Sequence, residues 1–378
     1  MRHMNRREFL TTTAAATAAV AAGTTVTIMP RYASASQQYK GEKISVFTYA
    51  GPWGDMFTEH FAPGFADLTG AQIVLDLGWW DSIPKLKASP PGKPAFDLIM
   101  TDATQGYPAI REGLFQKADF NRIPNMKNFA PEMLDNWVVK DGWGVTWPDA
   151  LGAGTFNKSG AKVVPQRWSD LLNPAFDNKI GLYNSFYMSL HTLASIKVDS
   201  EGKAGTAHDE MANNLEGVLE FSKAQSDRVS LWWKSASDMI LNIIQGNVAI
   251  GNVHSPAIYQ AIKDGEDSVA MFAPLEDRAF VQLFWLVTKD TKKKEIAEAA
   301  IDYFCTEEFQ TAYARNAGFV TPIRSVAQAI AEQDKLYGEV NPTTPDEFAA
   351  LKYFPYDAYF AAWDRIVEYW DKEVLRSS

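Results

Sequence analysis

The sequence predicts an α/β protein on three observations. Short apolar runs of strand length alternate with longer amphipathic segments, the alternation continues along the whole chain beyond residue 40, and no internal repeat or low-complexity tract interrupts it. Residues 43–48 read as a strand. Residues 55–68 read as a helix, because Phe57, Phe61 and Phe65 recur every four residues and share one face. Strands over 72–77 and 96–100 follow, both short and rich in apolar residues, which gives a parallel βαβ pattern. Next come a helix over 103–112, a loop at Ile123-Pro124-Asn125, and strands over 143–147, 152–156 and 179–183. The pattern goes on through a helix over 185–196, a strand over 229–232, a helix over 235–245, a strand over 248–252 and a helix over 254–264. Strands over 269–272 and 284–288 precede several C-terminal helices that end near residue 376.

A chain of 378 residues with 46% hydrophobic composition can bury two cores, and single domains divide well before this length. No Pro/Gly linker cuts it into sequential halves, so the two lobes are expected to interleave.

The N-terminus carries Asn5-Arg6-Arg7-Glu8-Phe9-Leu10, an uncharged Ala/Thr-rich stretch over 11–30, and Ala33-Ser34-Ala35 before a polar segment. Paired arginines, a weakly apolar middle and an A-x-A site resemble twin-arginine signals, so residues 1–35 are expected to be removed on export to the periplasm by the twin-arginine translocase. The net charge is −10 at pH 7, which disfavours nucleic acid and anionic membrane as partners and favours a neutral or cationic ligand. No later stretch is long and apolar enough to span a bilayer. Cys305, the sole cysteine, cannot form an internal disulfide and reads as a small core residue.

No G-x-S-x-G elbow, P-loop, dinucleotide fingerprint, H-E-x-x-H or cysteine redox motif follows the signal, so neither an enzyme nor a cofactor is expected. The histidines at 3, 60, 191, 208 and 254 lack paired ligand spacing, and no metal site is assigned.

Six segments in order resemble the periplasmic solute-binding proteins of ABC importers, in particular the spermidine/putrescine-binding branch. They are the stretch from Tyr49 through Ala50-Gly51-Pro52-Trp53-Gly54 to Asp55, Phe96-Asp97-Leu98-Ile99-Met100-Thr101-Asp102, the run from Gly152 to Lys158, the run from Arg167 to Phe176, Gln245-Gly246-Asn247-Val248-Ala249-Ile250, and Gly318-Phe319-Val320-Thr321-Pro322. The resemblance implies a two-lobed type II periplasmic-binding-protein fold. Each lobe would be a mostly parallel sheet flanked by helices: lobe one over 41–147 plus 254–300, lobe two over 150–252 plus 301–378, with hinge crossings near 148–150, 252–254 and 300. It implies a monomer that closes around a small-molecule ligand and presents it to an ABC permease of the inner membrane.

In open α/β sheets ligands collect beyond the carboxyl ends of strands. The candidate ligand-binding residues at those junctions are Tyr49, Trp53, Asp102, Trp147, Asp149, Tyr183, Asn184, Trp233, Ser235, Asn252 and His254. Trp79 and Trp80 could line the cleft or cover lobe one, and Asp102 could cap the helix that follows it as well as meet a ligand. Aromatic faces and carboxylates suit an organic cation such as a polyamine. Where the family places acidic residues in the second lobe, this chain has Asn184-Ser185-Phe186-Tyr187, and at the family's late Trp-x-Asp it has Val281-Gln282-Leu283. Asn184, Asn252 and His254 at helix starts could equally hold an anionic group, which leaves amino-acid derivatives, opines and aminophosphonates as alternatives. Ferric iron is a further one, since related importers include iron carriers that use tyrosines and histidines, and Tyr183 and Tyr187 lie four apart.

Overall fold

A computed structural model describes residues 37–161, 163–202, 206–274 and 277–375; the twin-arginine segment and its cleavage site lie outside the described residues. Nine strands form one mixed sheet: β1 (Lys43–Tyr49), β2 (Gln72–Gly78), β3 (Leu98–Asp102), β4 (Gly144–Asn157), β5 (Ile180–Tyr183), β6 (Val229–Trp233), β7 (Ile250–His254), β8 (Val269–Phe272) and β9 (Phe280–Val287). Their order is β2-β1-β3-β9-β4-β7-β5-β6, with β8 also on β4. β1 pairs parallel with β2 and β3, and β5 pairs parallel with β6 and β7. The antiparallel pairs meet at the middle, where β4 and β9 lie side by side.

The two strands expected over 143–147 and 152–156 are one strand of 14 residues. Its first half pairs with β9 and its second half with β7 and β8, and the register shifts between Pro148 and Leu151. Proline donates no ladder hydrogen bond and sits in sheets at such irregularities. A single strand therefore passes through both halves of the sheet. β8 falls within the 254–300 stretch yet pairs with the second half of β4, whereas β9 pairs with the first.

The phenylalanine stripe behaves as its spacing dictates. Pro52–Met56 and Ala62–Thr69 are α-helical, with one π-helical stretch, Phe57–Phe61, between them. Phe57, Phe61 and Phe65 are fully buried. Phe61 packs against Trp285 of β9 and against Phe309 at 4.9 Å between ring centroids, which ties this N-terminal helix to the C-terminal helices Lys294–Phe304 and Glu307–Ala317. Cys305, directly after the first of these, is fully buried.

β5 and β7 approach so closely at Gly181 and Gly251 that a Cβ on Gly251 would stand 1.8 Å from the Gly181 carbonyl oxygen. Gly251→Ala is expected to lower stability by about 2 kcal/mol, since forcing atoms into a packed contact costs ~1–3 kcal/mol. Thermal melting checks this, and an unchanged midpoint would show that the two strands can separate at no cost.

Candidate functional site

Four strands end on the same small volume with their final residue. Tyr49 closes β1, Asp102 closes β3, Tyr183 closes β5 and His254 closes β7. All four line a small cleft that opens to solvent. Trp79 and Trp80, just past the end of β2, form its rim; they are 44% and 41% exposed. Trp53, Asp149 and Tyr187 complete the polar and aromatic wall, and Val281 and Leu283 of β9 supply its apolar floor. β1 and β3 run opposite to β5 and β7, and the two pairs lie beside successive halves of β4, so their carboxyl ends converge from both sides on the stretch where β4 changes partners.

The aromatic side chains are fixed in layers. Trp79 stacks on Tyr49 at 5.4 Å and 16°, and Trp53 meets both edge-on. On the opposite wall Tyr183 stacks on Trp233 at 4.3 Å and 21°, with His254 edge-on to each. Tyr187 Oη and His254 Nε2 are 2.6 Å apart. Burial pushes the His254 imidazole down to about 4, so it is neutral at neutral pH, and burial holds the Tyr187 hydroxyl proton in place well above the usual range.

Both carboxylates already have protein partners. Asp102 Oδ1 accepts from Thr104 N at 2.7 Å and caps the helix Ala103–Arg111, while Oδ2 accepts from Tyr49 Oη at 2.7 Å. The helix cap thus uses one of its two oxygens and Tyr49 the other. Asp149 has no solvent exposure; Trp53 Nε1 donates to its Oδ2 at 2.9 Å and Tyr313 Oη donates to its Oδ1. Burial lifts this carboxyl to about 7 against the pull of those hydrogen bonds. Among the described residues no Lys or Arg lines the cleft, and its acidic side chains are those of Asp102 and Asp149.

Of the eleven candidates, the structure brings Tyr49, Trp53, Asp102, Asp149, Tyr183 and His254 to the cleft. Trp147 lies two residues back along β4, fully buried against Phe304 at 4.4 Å, with Nε1 donating to Tyr313 Oη at 3.3 Å. Trp233 is fully buried behind Tyr183 and donates Nε1 to the Asn252 carbonyl at 3.1 Å. The Asn252 side chain is consumed: Oδ1 accepts from Tyr183 N, and Nδ2 donates to Ser189 Oγ and Thr192 Oγ1. Asn184 offers its carbonyl to Trp370 Nε1 at 2.7 Å, and Ser235 caps the helix Ala236–Ile244. Trp147, Trp233 and Asn252 are thus buried packing residues, while Asn184 and Ser235 serve neighbouring helices. Tyr187, Val281 and Leu283 were absent from the candidates; β9 begins four residues before the expected strand over 284–288, which hid the last two. Trp79 and Trp80 did carry a signal, since they directly follow a strand end.

A family model described as bacterial extracellular solute-binding protein matches residues 61–339. The spermidine/putrescine-binding periplasmic protein of Salmonella typhimurium is 23% identical over 317 residues, spanning 77% of this chain and 84% of the relative. Among solved structures, the spermidine/putrescine ABC transporter substrate-binding protein PotD of Streptococcus pneumoniae, in complex with calcium and HEPES, is 19% identical with a TM-score of 0.66 over 87% of this chain and 99% of its own. The Atu4243–GABA receptor is 17% identical with a TM-score of 0.72 over 89% and 98%. The binding protein AgtB of A. tumefaciens R10, in complex with agropinic acid, is 17% identical with a TM-score of 0.70 over 89% and 100%. These likenesses establish the type II periplasmic-binding-protein fold.

The raised Asp149 carboxyl has a stability signature. A group whose folded pKa is about 7 against an ordinary 3.8 binds more protons when folded between those values, so its contribution is fully present below about 3.8 and is lost as pH rises through about 7. His254 acts in the opposite direction, its contribution being lost as pH falls from 6.5 towards about 4. The stability of the wild type relative to Asp149→Asn is therefore expected to fall between pH 4 and 7, by up to about 1.4 kcal/mol per pH unit. Denaturant titrations at several pH values measure this, and a flat difference would place the titration of Asp149 outside the window.

Proposed function

The chain belongs to the bacterial extracellular solute-binding protein family, and from that premise we propose that it is the periplasmic substrate-binding component of an ABC importer for a small organic amine. The observation that carries the ligand class is the cleft's composition. Two carboxylates and six aromatic side chains line it without a single Lys or Arg, and its one histidine is held neutral. Ring faces attract alkylammonium groups by about 0.5–2 kcal/mol each, and a carboxylate adds charge pairing. The name of the Salmonella relative, a spermidine/putrescine-binding protein, supports the same class. An anionic ligand has less support, because Asn252 has no free amide group and Asn184 and Ser235 lie outside the cleft.

In this reading the first lobe holds β1, β2, β3, β9 and the first half of β4, and the second holds β5 to β8 and the rest of β4. The lobes swing about the Pro148–Leu151 irregularity and trap the amine, and an inner-membrane permease receives the closed monomer. The twin-arginine translocase delivers the folded protein to the periplasm, where it binds without turnover and without a cofactor.

Melting the protein with putrescine, spermidine, quaternary amines, amino acids, opines, aminophosphonates and ferric iron tests the assignment, since a ligand that binds only the native state raises the midpoint. Amines are expected to raise it. A rise with anions or iron alone would retire the amine assignment and leave the transport role. Asp102→Asn is expected to weaken amine binding about tenfold or more while keeping the helix cap, because asparagine caps as well as aspartate. Trp79→Ala, at the exposed rim, should weaken binding with little change in melting. Trp233→Ala should cost about 3–5 kcal/mol of stability as a fully buried tryptophan; equal effects of these two tryptophan variants on melting would remove the distinction between rim and support.

A further inference from the structure

We propose that the protein has a second binding site, on the other face of β9, for a small organic ammonium compound that carries a hydroxyl or carbonyl oxygen. Side chains alternate along a strand. Val281 and Leu283 look into the cleft described above, while Gln282 between them lines a separate, larger cavity of about 460 Å³ that opens to solvent and shares no lining residue with the first. The helix Ala103–Arg111, the segment 131–136, the helix Ala207–Asn213 and the segment 353–358 wall this cavity.

Its floor carries donors without acceptors. Gln282 is only 2% exposed; its Oε1 accepts from Tyr107 Oη at 2.7 Å, and its Nε2 has no partner among the described residues. Tyr356 is 4% exposed; its Oη accepts from Gln282 N at 3.2 Å, and its own hydroxyl proton has no acceptor there. Both groups face the solvent-open cavity, where a ligand oxygen can take the place of the water they otherwise bond.

The walls point to a positive charge on the same molecule. Among the described residues Asp357, which is exposed, makes no ion pair or side-chain hydrogen bond, and Asp209 uses only Oδ2, on Thr206. Glu132 and Asp135 are already engaged by Arg324 and Lys140, and no Lys or Arg lines the cavity. Tyr107, Tyr353 and Tyr356 line the same cavity and add an aromatic surface to its acidic one. A compound with an ammonium at one end and an oxygen at the other satisfies both.

Calorimetric titration of the exported protein with choline tests the site, with Asp102→Asn used to disable the first cleft. Choline is expected to bind Asp102→Asn, and addition of Gln282→Met or of Asp357→Asn is expected to weaken that binding about tenfold or more. Tetramethylammonium, which lacks the oxygen, should bind Asp102→Asn about tenfold more weakly than choline does. Asp357 is on the surface, so its variant keeps the test valid if the Gln282 variant fails to fold. The proposal is overturned if Asp102→Asn binds no choline at about 10 mM, or if both second substitutions leave its affinity unchanged. Equal affinity for choline and tetramethylammonium would overturn the assignment of the floor donors.

Discussion

The buried carboxylate of Asp149 is the constraint on which the rest of the cleft depends. A carboxylate removed from water costs several kcal/mol unless donors replace the water. Here the donors come from opposite ends of the chain, Trp53 from the helical segment after β1 and Tyr313 from the helix Glu307–Ala317, while Val320 N donates to the Asp149 carbonyl oxygen at 2.9 Å. All three meet where β4 leaves its first set of partners for its second. Satisfying one acid therefore fixes the position of Trp53, which sets the spacing of the wall against Trp79, Phe319 and His254.

The cleft is built in two layers. Tyr49 and Tyr183 are the inner faces of stacks whose other members, Trp79 and Trp233, differ completely in exposure. A buried backing ring holds Tyr183 in one orientation, and the Tyr187–His254 hydrogen bond fixes the next side chain along. Little side-chain freedom remains to be lost on binding, and the remaining freedom lies at the mouth, in Trp79 and Trp80. The imidazole of His254 is neutral, so ionisable groups of opposite sign are absent from the described lining, which holds two acids.

β9 separates two cavities of different character. On one side its apolar side chains close a small aromatic cleft; on the other Gln282 presents an amide to a larger acidic hollow. The period of two along a strand makes this partition unavoidable once β9 runs through the middle of the sheet between β3 and β4.

The sequence by itself determined the α/β class, the stretches that form strands, and several of the strand ends that line the cleft, while the helices Ala207–Asn213 and Leu215–Ser226 escaped it. Hydrophobic periodicity is local, and it located the phenylalanine stripe and the strand ends at Tyr49, Asp102 and Tyr183 to within two residues. It could not tell an inner wall from its backing. Trp233 ends a strand as Tyr183 does, yet β6 is the edge strand beyond β5, so its ring falls behind rather than in front. Asn252 looked like a ligand group until the tertiary fold brought Ser189, Thr192 and the Tyr183 amide within reach of its side chain. The merging of two expected strands into β4, and the burial of Asp149 beside residues about 100 and 160 positions away, are contacts between distant segments that no local pattern encodes.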